Sequence, residues 1–233
     1  MKIEIWSDVI CPWCGIGQHR LDQAIAGFEH REHVQLVHRS FELDPRSPPG
    51  VRPVREMLAK KYGISGVHVQ AMFDRVESIA AEDGLSPYVV GDNVVGNTRL
   101  AHELLAMASE RGLEDAAWKR VYRAYFGERR PIFDIDSLAS IGQQIGLDPD
   151  EVRAALSEGR YRERVEADAR EARELGASGV PFVVVDRRYV VSGAQPVETF
   201  RHVLDRAWRD GPKPAVERGA ACGPEACEAP RGS

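Results

Sequence analysis

Cys11 and Cys14 stand two residues apart in the run Ser7-Asp8-Val9-Ile10-Cys11-Pro12-Trp13-Cys14-Gly15. A thiolate is the nucleophile in disulfide exchange, and the unpaired N–H groups and dipole at a helix N-terminus stabilise it. Pro12 suits a first helical turn, because its missing N–H would have no partner there, and Leu21, Ile25 and Phe28 follow at helical spacing. The spacing therefore predicts a helix that starts on the cysteines, with Cys11 at its mouth and Cys14 one turn inside. Cys11 is then placed to attack a disulfide, and Cys14 to free the substrate from the mixed disulfide that results. Pro12 and Trp13 supply no acidic group to oppose the thiolate, whereas Asp8, three residues before Cys11, raises the thiol pKa if it lies close. Two blander readings stay open: half of a zinc site, or an inert pair. Zinc needs four ligands. The other cysteines are Cys222 and Cys227, far along the chain, and His19 is aimed by helical geometry rather than by a ligand loop.

The rest of the composition narrows the context. Four cysteines in two close pairs are too few for a disulfide-stapled scaffold. A chain of 233 residues with 43% hydrophobic and 29% charged content buries a sizeable core, which excludes a disordered protein. The net charge of −5 comes from interspersed signs, so there is no basic field for nucleic acid or an anionic membrane. No apolar run approaches the roughly 20 residues that span a bilayer, and MKIEIWSDVICPWC lacks the regions of a signal peptide. The expectation is a cytoplasmic protein, and close cysteine pairs in a reducing compartment point to redox or metal chemistry.

The elements that must position the pair follow from periodicity. Ile3 and Ile5 alternate with Lys2, Glu4 and Trp6 as a first strand, and Val34, Leu36 and Val37 mark a second strand one crossover later. Strand, helix and strand make a parallel unit with Cys11 and Cys14 at its first junction. Pro45, Pro48, Pro49 and Pro53 break the pattern, and residues 54–175 read as helices without strands. Their stripes are Val67, Met72, Phe73, Val76 and Ile79; Leu100, Leu104, Leu105 and Met107; and Trp118, Val121, Tyr122 and Tyr125, read as core first and groove lining second. Asp148 is an N-cap ahead of Pro149, with Glu151 set to complete a capping box. From Gly176 the chain reads as strand, a turn at Asp186-Arg187-Arg188, strand, and a helix opened by Pro196 that carries Val197, Phe200, Val203, Leu204 and Trp208. After Gly211 no apolar period survives, which reads as a mobile tail.

This order of elements, with Cys11-Pro12-Trp13-Cys14 at a helix start and Val180-Pro181 ahead of the late strand, resembles the DsbA-type branch of the thioredoxin superfamily. The phrases SDVICPWC, FELDP, GNTRLAHELL and SGAQPVETF resemble FrnE-like dithiol oxidoreductases in particular, over residues 1 to about 210. The resemblance implies an α/β thioredoxin fold with a large all-helical insertion. The thioredoxin-like part would comprise residues 1–45 and 176–210, the insertion 46–175, and the C-x4-C tail 211–233. It also implies a cis Val180–Pro181 bond facing the cysteine helix, with Val180, Pro181, Pro12 and Trp13 forming the substrate surface. Kappa-class glutathione transferases and 2-hydroxychromene-2-carboxylate isomerases are relatives, in which a serine commonly stands at the place of Cys11.

The functional expectation is a thiol–disulfide oxidoreductase acting on protein or peptide disulfides through Cys11 and Cys14. It needs no cofactor beyond its own redox disulfide, and glutathione fits as a co-substrate. A glutathione-dependent small-molecule transferase or isomerase is the alternative, and a redox-sensing binder a third class. Asn97, Arg99 and His102 are candidates for a groove wall, set against a solvated helix face as the plainer reading. Glu42 and Asp44 of FELDP are capping or ion-paired carboxylates, or a proton relay. Gly15-x-Gly17 lacks the spacing of a phosphate loop. Cys222 and Cys227 are two solvated tail thiols in the plainer reading; their spacing also permits a simple disulfide without exchange, or a tethered relay that exchanges with Cys11.

Overall fold

A computed structural model of the chain describes residues 1–48 and 50–211. Strand β1 (Lys2–Ser7) leads into helix α1 (Pro12–Ala26), and β2 (Gln35–Ser40) returns parallel to β1. Near the other end, β5 (Phe182–Val185) pairs antiparallel with β1, and β6 (Tyr189–Ser192) antiparallel with β5, so the sheet order is β2-β1-β5-β6. Asp186 and Arg187 both take positive φ between β5 and β6, and the Arg188 N–H closes that turn on the Val185 carbonyl at 3.0 Å. Helix α9 (Val197–Asp210) completes the unit.

The sheet is covered on both faces, which explains why Phe182-Val183-Val184-Val185 is apolar without alternation. Ile3, Ile5, Val183 and Val185 pack with Leu21 and Phe28 from the α1 side and with Phe200 and Leu204 from α9. On the other face Trp6, Phe182 and Val184 meet Phe41 and Ala172, the latter on α8 (Arg162–Glu174). Asp168 of α8 fixes that contact: its carboxylate accepts from the Ser40 N–H at 3.0 Å and from Arg39 at 3.1 Å, and its carbonyl accepts from Trp6 Nε1 at 2.8 Å. Buried Glu4 is surrounded by Lys2, Arg39 and Arg187, so its charge is paired. The helix that the sequence assigns to the end of the insertion is thus a covering layer of the sheet.

The remaining helices are α2 (Val54–Tyr62), α3 (Gly66–Glu82), α4 (Arg99–Glu110), α5 (Glu114–Tyr122), α6 (Ile135–Gln143) and α7 (Pro149–Glu158). They share one large core that reaches Cys11, Cys14 and Ile16 of α1. Several expectations are corrected here. Two short strands, β3 (Arg52–Pro53) and β4 (Val94–Val95), pair antiparallel in the stretch expected to be wholly helical, and two residues are too few to show a period. Val67 is 79% exposed and Met72 is exposed, because the buried stripe of α3 runs through Val69, Phe73, Val76 and Ala80 instead. Asp148 caps α7 through the N–H groups of Asp150 and Glu151, but the Glu151 carboxylate turns to Arg111 rather than closing the box. Helix α5 runs into a π-helical turn at Arg123–Gly127, which carries buried Tyr125 and Phe126. Among the described residues no helix is long and apolar enough to cross a membrane.

Candidate active site

Cys11 is the N-cap residue of α1, in an extended conformation with no side chain capping the helix, and Cys14 lies in the first turn. Both are free thiols. Their surroundings differ: Cys11 keeps 7% of its surface exposed and lines a cleft, whereas Cys14 has none. Burial pushes the Cys14 thiol well above its ordinary range, and the neighbouring Cys11 raises it further. The Cys11 thiol lies 3.7 Å from the Val180 carbonyl oxygen, to which it donates, and the Val180–Pro181 bond is cis.

Two glycines let α1 approach its neighbours. A Cβ on Gly17 would lie 2.8 Å from Pro181 Cγ, so only glycine lets the helix rest on that ring. At Gly15 the space is filled by Tyr88, whose hydroxyl donates to the Pro12 carbonyl at 2.6 Å and whose ring stacks on Phe126 at 4.5 Å. Tyr88 therefore pins the Pro12-Trp13 segment from the insertion side. The sequence reading missed it; the turn dipeptide Ser86-Pro87 before it, also cis, was the only local signal.

The cleft beside Cys11 holds about 1070 Å³. Ile10, Pro12 and Trp13 line it at the cysteine end, and Met57, Met72, Phe73 and Phe126 supply an apolar wall. Arg52, Lys60 and Lys61 also face it. Asn97, Arg99 and His102, expected as groove wall, do not line this cleft. Asn97 Oδ1 accepts from the Arg99 N–H at 3.0 Å and its Nδ2 donates to the Pro45 carbonyl at 3.3 Å, a local tether at the start of α4. Arg99 points to Glu42 at 3.8 Å. His102 is fully buried, with Nε2 3.2 Å from Asp8 Oδ1, which overturns the solvated-face reading. The cause is α4 itself: Ala101, Leu104, Leu105 and Ala108 are buried too, so this helix has no wet face at that level. Glu42 is buried near Arg99, and Asp44 lies exposed, 4.0 Å from Arg52.

His19 turns to the Asp83 carbonyl and Gln23, away from the cysteines. Among the described residues no group of three or more His, Cys, Asp or Glu is placed to hold a metal ion. Cys222 and Cys227 lie outside the described residues.

Comparison with known proteins agrees with this fold. The family model described as a DSBA-like thioredoxin domain matches residues 2–205. The uncharacterized protein YwbO of Bacillus subtilis is 28% identical over 206 residues, spanning 88% of this chain and 96% of its own. Among solved structures, a probable DsbA oxidoreductase of Streptomyces coelicolor, SCO1869, superposes with a TM-score of 0.88 at 45% identity over 99% of both chains. A 2-hydroxychromene-2-carboxylate isomerase superposes at 0.70 with 17% identity, covering 90% of this chain and 97% of its own, and so shares the fold. The cytosolic disulfide reductase DsbM of Pseudomonas aeruginosa, solved with glutathione, superposes at 0.58 with 19% identity over 90% of this chain and all of its own.

Proposed function

Because the chain belongs to the DSBA-like thioredoxin domain family, we propose that it exchanges dithiols and disulfides with protein or peptide substrates, Cys11 attacking and Cys14 resolving. The observation that carries this reading is the asymmetry of the two thiols: one at a helix mouth on a cleft, the other fully buried one turn inside. Only the first can meet a substrate sulfur. The second meets a mixed disulfide formed on its neighbour and displaces the substrate thiol, while both cysteines end as one disulfide.

The cleft suits an extended segment of a polypeptide. Its volume of about 1070 Å³ lies just above the range of small-molecule pockets, about 300–1,000 Å³, and its wall of Met57, Met72 and Phe73 adapts to varied apolar side chains. Glutathione, which accompanies DsbM in its structure, is the reductant we assign to the return of the disulfide to the dithiol. In a cytoplasm poised at roughly −220 to −320 mV the pair would work as a reductase or isomerase rather than as a bulk oxidase.

The test is turnover of a two-chain disulfide peptide with reduced glutathione, using protein in which Cys222 and Cys227 are serine. Cys11→Ser is expected to abolish turnover, and Cys14→Ser to leave only slow release by glutathione. Full activity in Cys11→Ser would refute the reading. Glutathione-dependent isomerisation of a small molecule that survives Cys14→Ser would favour the alternative chemistry instead.

A further inference from the structure

The peptide group between Pro12 and Trp13 has two hydrogen-bonding ends that face different parts of the molecule. Its carbonyl accepts from the Tyr88 hydroxyl at 2.6 Å, beside the bond that a helix gives such a carbonyl from the residue four further on. Its N–H points to the helix mouth, where Cys11 is the N-cap residue. The other donors there are spent or missing. The Cys11 N–H goes to the Asp8 carbonyl at 3.2 Å, the Cys14 N–H to the Cys11 carbonyl at 3.0 Å, and the Pro12 nitrogen carries no hydrogen. Among the described residues the Trp13 N–H has no acceptor. An N-cap side chain that can accept takes the N–H of the second or third helical residue. As a thiol, Cys11 donates to the Val180 carbonyl and caps nothing. As a thiolate it has no proton to give and becomes the missing acceptor.

Tyr88 is held as a donor. Burial, and then the two cysteines, push its hydroxyl well above the ordinary pKa. Its ring stacks on Phe126 at 4.5 Å, and the Val89 N–H bonds the Phe126 carbonyl at 2.8 Å, which ties this loop to the π-helical turn. Gly15 leaves open the space that the hydroxyl fills. Tyr88 does not line the cleft beside Cys11, so it acts without touching a substrate.

Hydrogen bonds in a chain polarise one another, and an amide that accepts at its oxygen donates more strongly from its nitrogen. We propose that Tyr88 is a positioning residue for the exchange reaction: through the Pro12–Trp13 amide its hydroxyl strengthens the N–H that holds the Cys11 thiolate, and so sets how strongly the pair oxidises its partners. This deepens the oxidoreductase reading given above and rests on it. The thiolate exists only in the dithiol form, so whatever stabilises it favours the reduced protein. The titratable groups that act on the two thiols are the thiols themselves, Asp8 ahead of α1, Tyr88 from the loop after α3 and Tyr122 of α5. Asp44, Arg52, Glu56, Lys60 and Lys61 line the cleft on which Cys11 opens.

The experiment equilibrates protein in which Cys222 and Cys227 are serine with mixtures of reduced glutathione and glutathione disulfide. The two protein thiols give up two electrons and two protons, and one glutathione disulfide takes them to become two thiols. In Tyr88→Phe, which keeps the ring on Phe126, the constant for forming the protein disulfide should rise about threefold, since polarisation strengthens a hydrogen bond by about 10–30% and the bond here is to a charge. Tyr88→3-fluorotyrosine, a stronger donor of nearly the same size, should lower that constant, and it decides the question if Tyr88→Phe does not fold. Alkylation by iodoacetamide gives a second readout. A less stabilised thiolate is scarcer but more nucleophilic, so in Tyr88→Phe the rate should fall at pH 5 and rise at pH 9. An unchanged constant in the folded variants, or rates that fall at both pH values as a distorted site would give, would overturn the proposal. Failure of the unsubstituted protein to exchange with glutathione at any ratio would instead overturn the oxidoreductase reading.

Discussion

At the scale of single residues, the same side chain does different work according to what covers it. Cys14 is held neutral by burial that also pushes its thiol up, so it waits until a disulfide forms on Cys11. His38 makes the same point for stability. It is buried against Trp118, at 5.5 Å between ring centroids, and burial pushes its pKa down from 6.5 to about 4. The unfolded chain binds the proton first, so His38 contributes stability above pH 6.5 that is lost as pH falls toward 4. The shift is worth about 3 kcal/mol. His38→Phe, which keeps a ring beside Trp118, should flatten the stability curve between those pH values in urea titrations; an unaltered slope would contradict the assignment. The motif spacing made Cys11 and Cys14 legible from the chain alone, because the chemistry is local. The Asp8–His102 contact was not, since nothing near either residue reveals a partner 94 positions away.

At the scale of elements, α1 works by where it is clamped. Gly17 rests on Pro181 and Gly15 lies under Tyr88, so the first turn is held from the sheet side and from the insertion side at once. Gly17→Ala places a methyl against a proline ring that cannot swing away. It should cost about 1–3 kcal/mol and lower turnover, as overpacking does, while Gly27→Ala at the C-cap of the same helix meets the far end of Arg201 at 3.3 Å and the Gln23 carbonyl at an ordinary 3.6 Å and should cost less. Equal losses in chemical denaturation would remove the argument. Tyr88→Phe deletes the hydroxyl bond to the Pro12 carbonyl, worth about 1 kcal/mol. It also clears the nearest atom to Gly15, so Gly15→Ala should be better tolerated in that background. The elements α1, β1, β2, β5 and β6 were readable as short apolar or alternating runs bounded by turn residues, β5 without alternation because both its faces are covered. In α3 the periodicity misled, as Val67 and Met72 match the helical period, yet Val67 is exposed and Met72 lines the cleft.

At the scale of the molecule, α1 belongs to two cores, one with the insertion through Cys14 and Ile16 and one with the sheet through Leu21 and Ala24, and the insertion supplies one wall of the cleft. Met72 lines that cleft while partly exposed, so Met72→Asp should leave stability unchanged. It should raise KM for an apolar disulfide peptide by about tenfold with little change in kcat, the pattern of lost uniform binding. A fall in kcat alone would place the peptide elsewhere. Removing residues 212–233 asks whether Cys222 and Cys227 exchange with Cys11: slower reoxidation of the pair is expected for a relay, and identical kinetics would make them bystanders. The thioredoxin-like fold was legible from the order of strands and helices. The wall of the cleft was legible in part: Met72, Phe73, Val76 and Tyr125 stood in stripes read as groove lining after core, while Arg52, Met57 and Lys60 come from a segment that carried no such signal.

The central claim is a division of labour between two thiols, and trapping tests it most directly. Cys14→Ser and Cys11→Ser, each with Cys222 and Cys227 as serine, are incubated with one disulfide peptide, and the intact masses are followed with time. Cys14→Ser should accumulate a peptide adduct mapped to Cys11, while Cys11→Ser stays unmodified because Cys14 is buried and its thiol is raised. Adducts forming on Cys14 as fast as on Cys11, or on neither, would contradict the account.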